Sequence, residues 1–77
     1  MFQVGDKVTT IQQGKGVISS IKTRTDFPIL VKATDKDKAD ELYMIDGRYL
    51  ETDTYPSMIL GHYNHLEVKG VNKPKNK

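Results

Sequence analysis

The feature that most constrains the fold is the spacing of glycines and β-branched residues in the first 21 residues. Phe2 and Gly5-Asp6 precede an unbroken β-branched run over 8–11. Gly14 and Gly16 come next, and a second apolar run begins directly after them. Short β-branched runs bounded by turn formers are typical of strands, and glycine readily supplies positive φ in a turn. The segment therefore predicts a β-hairpin that turns over 12–15.

The rest of the chain continues as short extended runs separated by turn formers. Further strands are predicted over 17–22, 28–33, 41–45, 48–51 and 66–68. Asp46-Gly47 lies between two of these runs, and Asp-Gly in that position predicts a two-residue hairpin turn with Gly47 at positive φ. The charged segment 34–39 predicts a solvated loop.

Five or six short strands without a convincing helix predict a single all-β domain in 77 residues. At this length we expect an SH3-like barrel of five to six short antiparallel strands. The barrel is predicted to span 1–69, and the lysine-rich segment 70–77 is predicted to be a disordered tail. The core is expected to draw on alternating apolar residues, in some combination of Val8, Ile11, Val17, Ile21, Leu30, Leu42, Ile45, Leu50 and Ile59.

The net charge of +2 is unevenly distributed along the chain. Residues 69–77 hold four lysines and no acid, whereas residues 1–68 hold eight basic and ten acidic residues. A protein dedicated to binding duplexes carries a basic face on its folded body. The slightly acidic body therefore favours a protein partner over nucleic acid, and the tail is left as a region of weak electrostatic binding.

No residue pattern indicates an enzyme, a cofactor or a metal. The chain lacks cysteine, so disulfides and thiolate zinc sites are excluded, and a barrel this small has little room for a water-excluding cleft. Gly14-Lys15-Gly16 lacks the spacing of a phosphate-binding loop. His62 and His65 would point to opposite faces of a strand, and a catalytic zinc needs a third protein ligand. We predict no catalytic residue, no cofactor and no metal.

Tyrosines and one arginine are the candidates for contact with a protein. Tyr43, Arg48, Tyr49 and Tyr55 form the predicted partner-binding set, since aromatic grooves on small barrels bind Pro-rich peptides or methylated cations. The same rings would equally complete a core that has no tryptophan, and the sequence leaves both alternatives open. Under the nucleic-acid alternative, the predicted phosphate contacts are Lys15, Arg24, Arg48, Lys73, Lys75 and Lys77.

The opening motif, Phe2-x-x-Gly5-Asp6-x-Val8 followed by Gly14-x-Gly16-Val17, resembles two groups of SH3-like domains. One group is the KOW and Tudor-like modules of transcription and translation factors. The other is the RNA-polymerase-interacting domain of CarD-type regulators and transcription-repair coupling factors. This resemblance covers only 2–21, so no polymerase-contact residue is carried over from it.

A second resemblance covers about residues 2–60. Phe27-Pro28-Ile29-x-Val31, Asp46-Gly47-Arg48-Tyr49 and Pro56-Ser57 resemble a pattern in small uncharacterised proteins of bacteriophages and gut bacteria. The resemblance implies the same fold and a phage origin, but no activity.

The hypothesis from the sequence is a non-enzymatic binding module, phage-encoded and located in the host cytoplasm. Its partner would be a protein such as the host transcription machinery or a host-defence protein. A nucleic-acid-binding KOW-like module and a small structural virion component are the alternatives. The chain shows no secretory signal and no apolar run near the roughly 20 residues that span a bilayer, so no membrane partner is expected.

Overall fold

A computed structural model describes residues 1–64. The strands are β1 (Lys7–Thr10), β2 (Gly14–Ile21), β3 (Ile29–Ala33), β4 (Glu41–Tyr43) and β5 (Met58–Leu60). They form one antiparallel sheet in the order β4-β3-β2-β1-β5, which curls into a half-barrel. The expected all-β fold is confirmed, with no helix within residues 1–64. The strand predicted over 66–68 and the tail predicted over 70–77 lie outside the described residues.

The opening hairpin joins β1 to β2 through a three-residue connection. Thr10 pairs with Gly14, and the Gln13 amide donates to Thr10 Oγ1 at 2.9 Å. The turn therefore lies over 11–13, and the prediction of a turn over 12–15 is wrong in position. Gly14 does take a positive φ of 71°. Gly16 lies inside β2 and is not part of the turn.

The core occupies the concave face of the half-barrel and matches the expected set only in part, through Val8 and the partly buried Ile21. It consists of Val8, Ile18, Ile29, Val31, Tyr43 and Met58. Val17 is 37% exposed, because β2 turns the next residue, Ile18, inward. Leu42, Ile45 and Leu50 are also exposed. In β2 the expectation is therefore wrong for Val17, whereas Ile21 packs against the core as expected, because the register with β3 shifts between Ile18 and Ser20.

A loop over 44–57 connects β4 to β5. The Met44 amide donates to the Arg48 carbonyl at 2.8 Å, and the Gly47 amide donates to the Met44 carbonyl at 2.9 Å. These bonds define a three-residue connection over 45–47, which is a common hairpin variant, instead of the predicted two-residue turn. Residues 48–51 form no strand. Gly47 has a φ of 93°, so its predicted positive φ is confirmed.

We expect Gly47→Ala to lower the free energy of unfolding by about 1–2 kcal/mol, because side chains resist the left-handed region. The new Cβ would also lie 3.3 Å from Met58 O, Phe2 Cε2 and Pro56 Cβ. Gly5→Ala is the matched control, since Gly5 has the same φ of 93° and open space around it. Urea unfolding should show the larger loss for Gly47→Ala. Equal losses would contradict the close packing around Gly47.

Candidate functional site

Tyr43 lies in the core rather than in a surface groove. It is fully buried, and its hydroxyl lies 2.9 Å from Gln13 Oε1. Gln13 Nε2 in turn donates to the carbonyls of Val31 and Ala39, both at 2.9 Å. Burial raises the pKa of Tyr43 well above its ordinary value. A buried ring is inaccessible to a partner, so the prediction that Tyr43 binds one is corrected: the ring completes a core without tryptophan.

Tyr49 and Tyr55 do not form a groove with Tyr43. The Tyr49 ring packs against the Tyr43 ring with centroids 5.4 Å apart, and its hydroxyl donates to Glu41 Oε1 at 2.9 Å. This hydrogen bond to a carboxylate raises the pKa of Tyr49. Tyr55 is 40% exposed on the loop between β4 and β5. Of the predicted aromatic contacts, Tyr55 alone presents a largely accessible ring.

Arg48 forms an ion pair and hydrogen bonds within its own loop. Its Nε lies 2.8 Å from Asp46 Oδ2, and its Nη1 donates to the carbonyls of Glu51 at 3.0 Å and Asp53 at 3.2 Å. A groove of about 390 Å³ opens beside this turn and is lined in part by Ile45. Because three acceptors already engage the guanidinium, Arg48 stabilises the loop, and its contact with a partner stays a prediction.

The convex face of the sheet carries a cluster of three lysines, of which the sequence prediction included only Lys15. Lys7 pairs with Val17 across β1 and β2, and Val17 pairs with Lys32 across β2 and β3. Lys15 lies two residues before Val17 on the same face. Directly paired residues of adjacent strands have Cβ atoms about 5 Å apart. We term this cluster, Lys7, Lys15, Val17 and Lys32, the lysine face.

All three lysines of the lysine face are exposed. Within the described part of the chain no ion pair engages them, and no strand residue on the convex face is acidic. The acidic residues of 1–64 lie in loops, apart from Glu41, which faces the concave side opposite Val31. Residues 1–64 hold eight basic and nine acidic residues, yet the strands bring three lysines together on one face. Asp35, in the loop after β3, lines a groove with Lys15 at one end of this face.

Residues 61–64, which we term the strap, cross β1 on the convex side. The Gly61 amide donates to the Lys7 carbonyl at 2.7 Å. Thr9 Oγ1 donates to the Gly61 carbonyl at 2.6 Å and accepts the Tyr63 amide at 2.9 Å. The strap covers Thr9, which is fully buried although it lies on the convex face. Tyr63 remains 46% exposed at the border of the lysine face.

The structure brings together only part of the predicted phosphate-binding set. Lys15 belongs to the lysine face, whereas Arg24 is exposed in the loop at the far end of β2. Lys73, Lys75 and Lys77 lie outside the described residues. Sequence reasoning missed Lys7 and Lys32. Their alternation with buried valines indicated that both point away from the core, but only the strand register shows that they meet.

The described residues contain no group of three metal-ligating side chains. His62 Nε2 lies 3.0 Å from the Gly16 carbonyl, which makes it part of the strap, and His65 lies outside the described residues. Residues 1–64 also contain no helix with the length and apolarity needed to cross a membrane.

No family model, curated protein or solved structure matches the chain. The resemblance to phage and bacterial SH3-like proteins therefore stays a prediction. A fold of this type hosts many functions, so the function has to be argued from the chemistry of the site.

Proposed function

We propose that the protein is a non-enzymatic binding module that contacts the phosphates of nucleic acid through the lysine face. One observation carries the proposal: three exposed lysines lie on adjacent strands with no acidic strand residue beside them. Affinity for nucleic acid comes largely from lysines and arginines that neutralise phosphates. The footprint of such a protein is a basic patch on one face rather than a basic total charge.

The dimensions of the lysine face suit a polyphosphate backbone. Lys7 and Lys32 are two strand spacings apart, which is about 10 Å. One strand of a duplex presents about three phosphates over that distance. Four more lysines follow the strap within residues 65–77, so the sequence that continues from this face supplies further positive charge.

A protein partner is the second candidate function, and one observation favours it. β4 is an edge strand, its Leu42 is 50% exposed, and Ile45 in the following turn is 60% exposed. An exposed edge strand can add a strand from another protein. The host transcription machinery, a host-defence protein and a virion component remain hypotheses of this second kind. Tyr43, one of the four residues first assigned to protein contact, is buried in the core, which weakens this candidate.

The test of the first proposal replaces the three lysines of the lysine face by glutamine and measures binding to labelled DNA and RNA by fluorescence anisotropy. We expect the slope of log affinity against log salt to fall by about 1 per lost phosphate contact. The affinity at low salt should fall at least about tenfold, because three counterion-releasing contacts disappear.

For comparison at equal charge, the double variant Lys7→Gln and Lys32→Gln is measured beside a matched control that carries Lys22→Gln and Arg24→Gln, both beyond the far end of β2. The control should keep most of the affinity and the salt slope. Equal losses of affinity in both variants would show that only the net charge matters. Binding by the parent that does not depend on salt would contradict the proposal, and so would the absence of binding by the parent. If the parent does not bind nucleic acid, a pull-down with Leu42→Asp would test the protein partner instead.

A further inference from the structure

We infer that the ligand is single-stranded nucleic acid and that Tyr63 stacks on one of its bases. The inference rests on the proposed function, because it names the ligand class of the same face. Its independent observation is the placement of Tyr63, which is 46% exposed while Thr9 Oγ1 accepts its backbone amide. An aromatic ring beside a positively charged surface is the arrangement by which proteins bind unpaired bases without sequence preference.

Gly61 makes room for the ring. A Cβ atom added at Gly61 would lie 2.8 Å from Tyr63 Cε2 and 3.1 Å from Tyr63 Oη. The φ of Gly61 is 99°, in the region that favours glycine. Gly61 also bonds to the Lys7 carbonyl, so the ring over Gly61 lies at the level of Lys7, where the lysine face begins.

The backbone of Tyr63 is fixed by the same buried hydroxyl that fixes Gly61. Thr9 Oγ1 accepts the Tyr63 amide and donates to the Gly61 carbonyl. A ring that is positioned before the ligand arrives loses little conformational freedom on binding. The exposed part of the ring is therefore a preorganised stacking surface.

Residues 1–64 offer a duplex no element that enters its major groove. That groove admits an α-helix or a two-stranded ribbon. Residues 1–64 form no helix, and both strands of the β1–β2 hairpin are flanked by further strands, β5 and β3. The bases of a duplex are also stacked on one another, so their faces are not free for Tyr63. A single strand can place its phosphates against the lysines and an unpaired base on the Tyr63 ring.

The experiment measures the binding of three probes of equal length by fluorescence anisotropy: an oligothymidylate, the corresponding duplex, and an abasic single strand. The parent protein should bind oligothymidylate most tightly. Tyr63→Leu should weaken binding to oligothymidylate about tenfold, leave the abasic strand unaffected, and keep the salt slope unchanged. Tyr63→Phe should retain the affinity, because stacking needs the ring and not the hydroxyl.

Tyr55→Leu is the matched control, since Tyr55 is exposed to a similar extent and lies on the β4–β5 loop. It should bind all three probes as the parent does. A direct readout comes from Tyr63→Trp, because the chain contains no other tryptophan: its fluorescence should be quenched by oligothymidylate and not by the abasic strand.

Two results would overturn the inference while leaving the proposed function in place. One is duplex binding as tight as single-strand binding, and the other is an equal loss on all probes in Tyr63→Leu, which would indicate a structural role for the ring. Absence of nucleic-acid binding in the parent would overturn both proposals together.

Discussion

Gly16→Ala is expected to lower the free energy of unfolding by about 3 kcal/mol, near the upper end for an overpacked site. The added Cβ would lie 2.7 Å from the Lys32 carbonyl oxygen and 2.8 Å from Val31 Cγ1. The first of these is a backbone atom of the adjacent strand, so β2 and β3 would have to separate locally. The loss is a large fraction of the stability of a small domain.

Gly14→Ala is the matched control, two residues away in the same strand. Gly14 has a positive φ of 71° and no atom within 4 Å of an added Cβ, so only backbone strain of about 1 kcal/mol is expected. Urea unfolding monitored by circular dichroism gives both values. If Gly16→Ala cost no more than Gly14→Ala, the close approach of β3 to Gly16 would be contradicted.

The second large effect is a loss of stability in alkali caused by Tyr43. Burial raises the pKa of its hydroxyl above the ordinary value of 10.0. As the pH rises past about 10, the unfolded chain therefore releases this proton while the folded protein keeps it. The stability that the neutral Tyr43 hydroxyl contributes is fully present below pH 10. Above pH 10 the free energy of unfolding should fall by about 1.4 kcal/mol per pH unit.

The measurement is the urea midpoint between pH 8 and pH 12 in the parent, in Tyr43→Phe and in Tyr55→Phe. Tyr43→Phe should be less stable at pH 8 by about 1–3 kcal/mol, because Gln13 loses a buried partner, but its stability should decline less steeply in alkali. Tyr55→Phe should follow the parent. Some decline of stability with pH is still expected in Tyr43→Phe, because the hydrogen bond to Glu41 raises the pKa of Tyr49. Parallel curves for all three proteins would contradict the burial of the Tyr43 hydroxyl.

The strand content was predictable from local signals, but the assignment of faces was not. Glycines and β-branched runs located β1, β2 and β3 to within a few residues. Which side chains of β2 face the core depends on the β-bulge between Ile18 and Ser20, where the register with β3 shifts. A bulge is created by pairing with the neighbouring strand, so the sequence of β2 alone does not place it.

The candidate site was harder to predict because it is made of cross-strand neighbours. Lys7 and Lys32 are distant in sequence, and only their common partner Val17 brings them together. Tyr43 had two equally supported roles until its burial was known. Gly47 was the opposite case, since its positive φ follows from the Asp-Gly pair itself.

The hydroxyl of Thr9 joins β1 to residues that lie 52 and 54 positions further along the chain. Such a contact closes a long loop of the chain, so we expect it to form late in folding and to open early when the protein fluctuates. The aromatic surface is therefore complete only when β1 and β5 are paired. A ligand held there would stabilise the pairing of β1 with β5 at one edge of the sheet and should slow amide exchange in these two strands more than in β3 and β4.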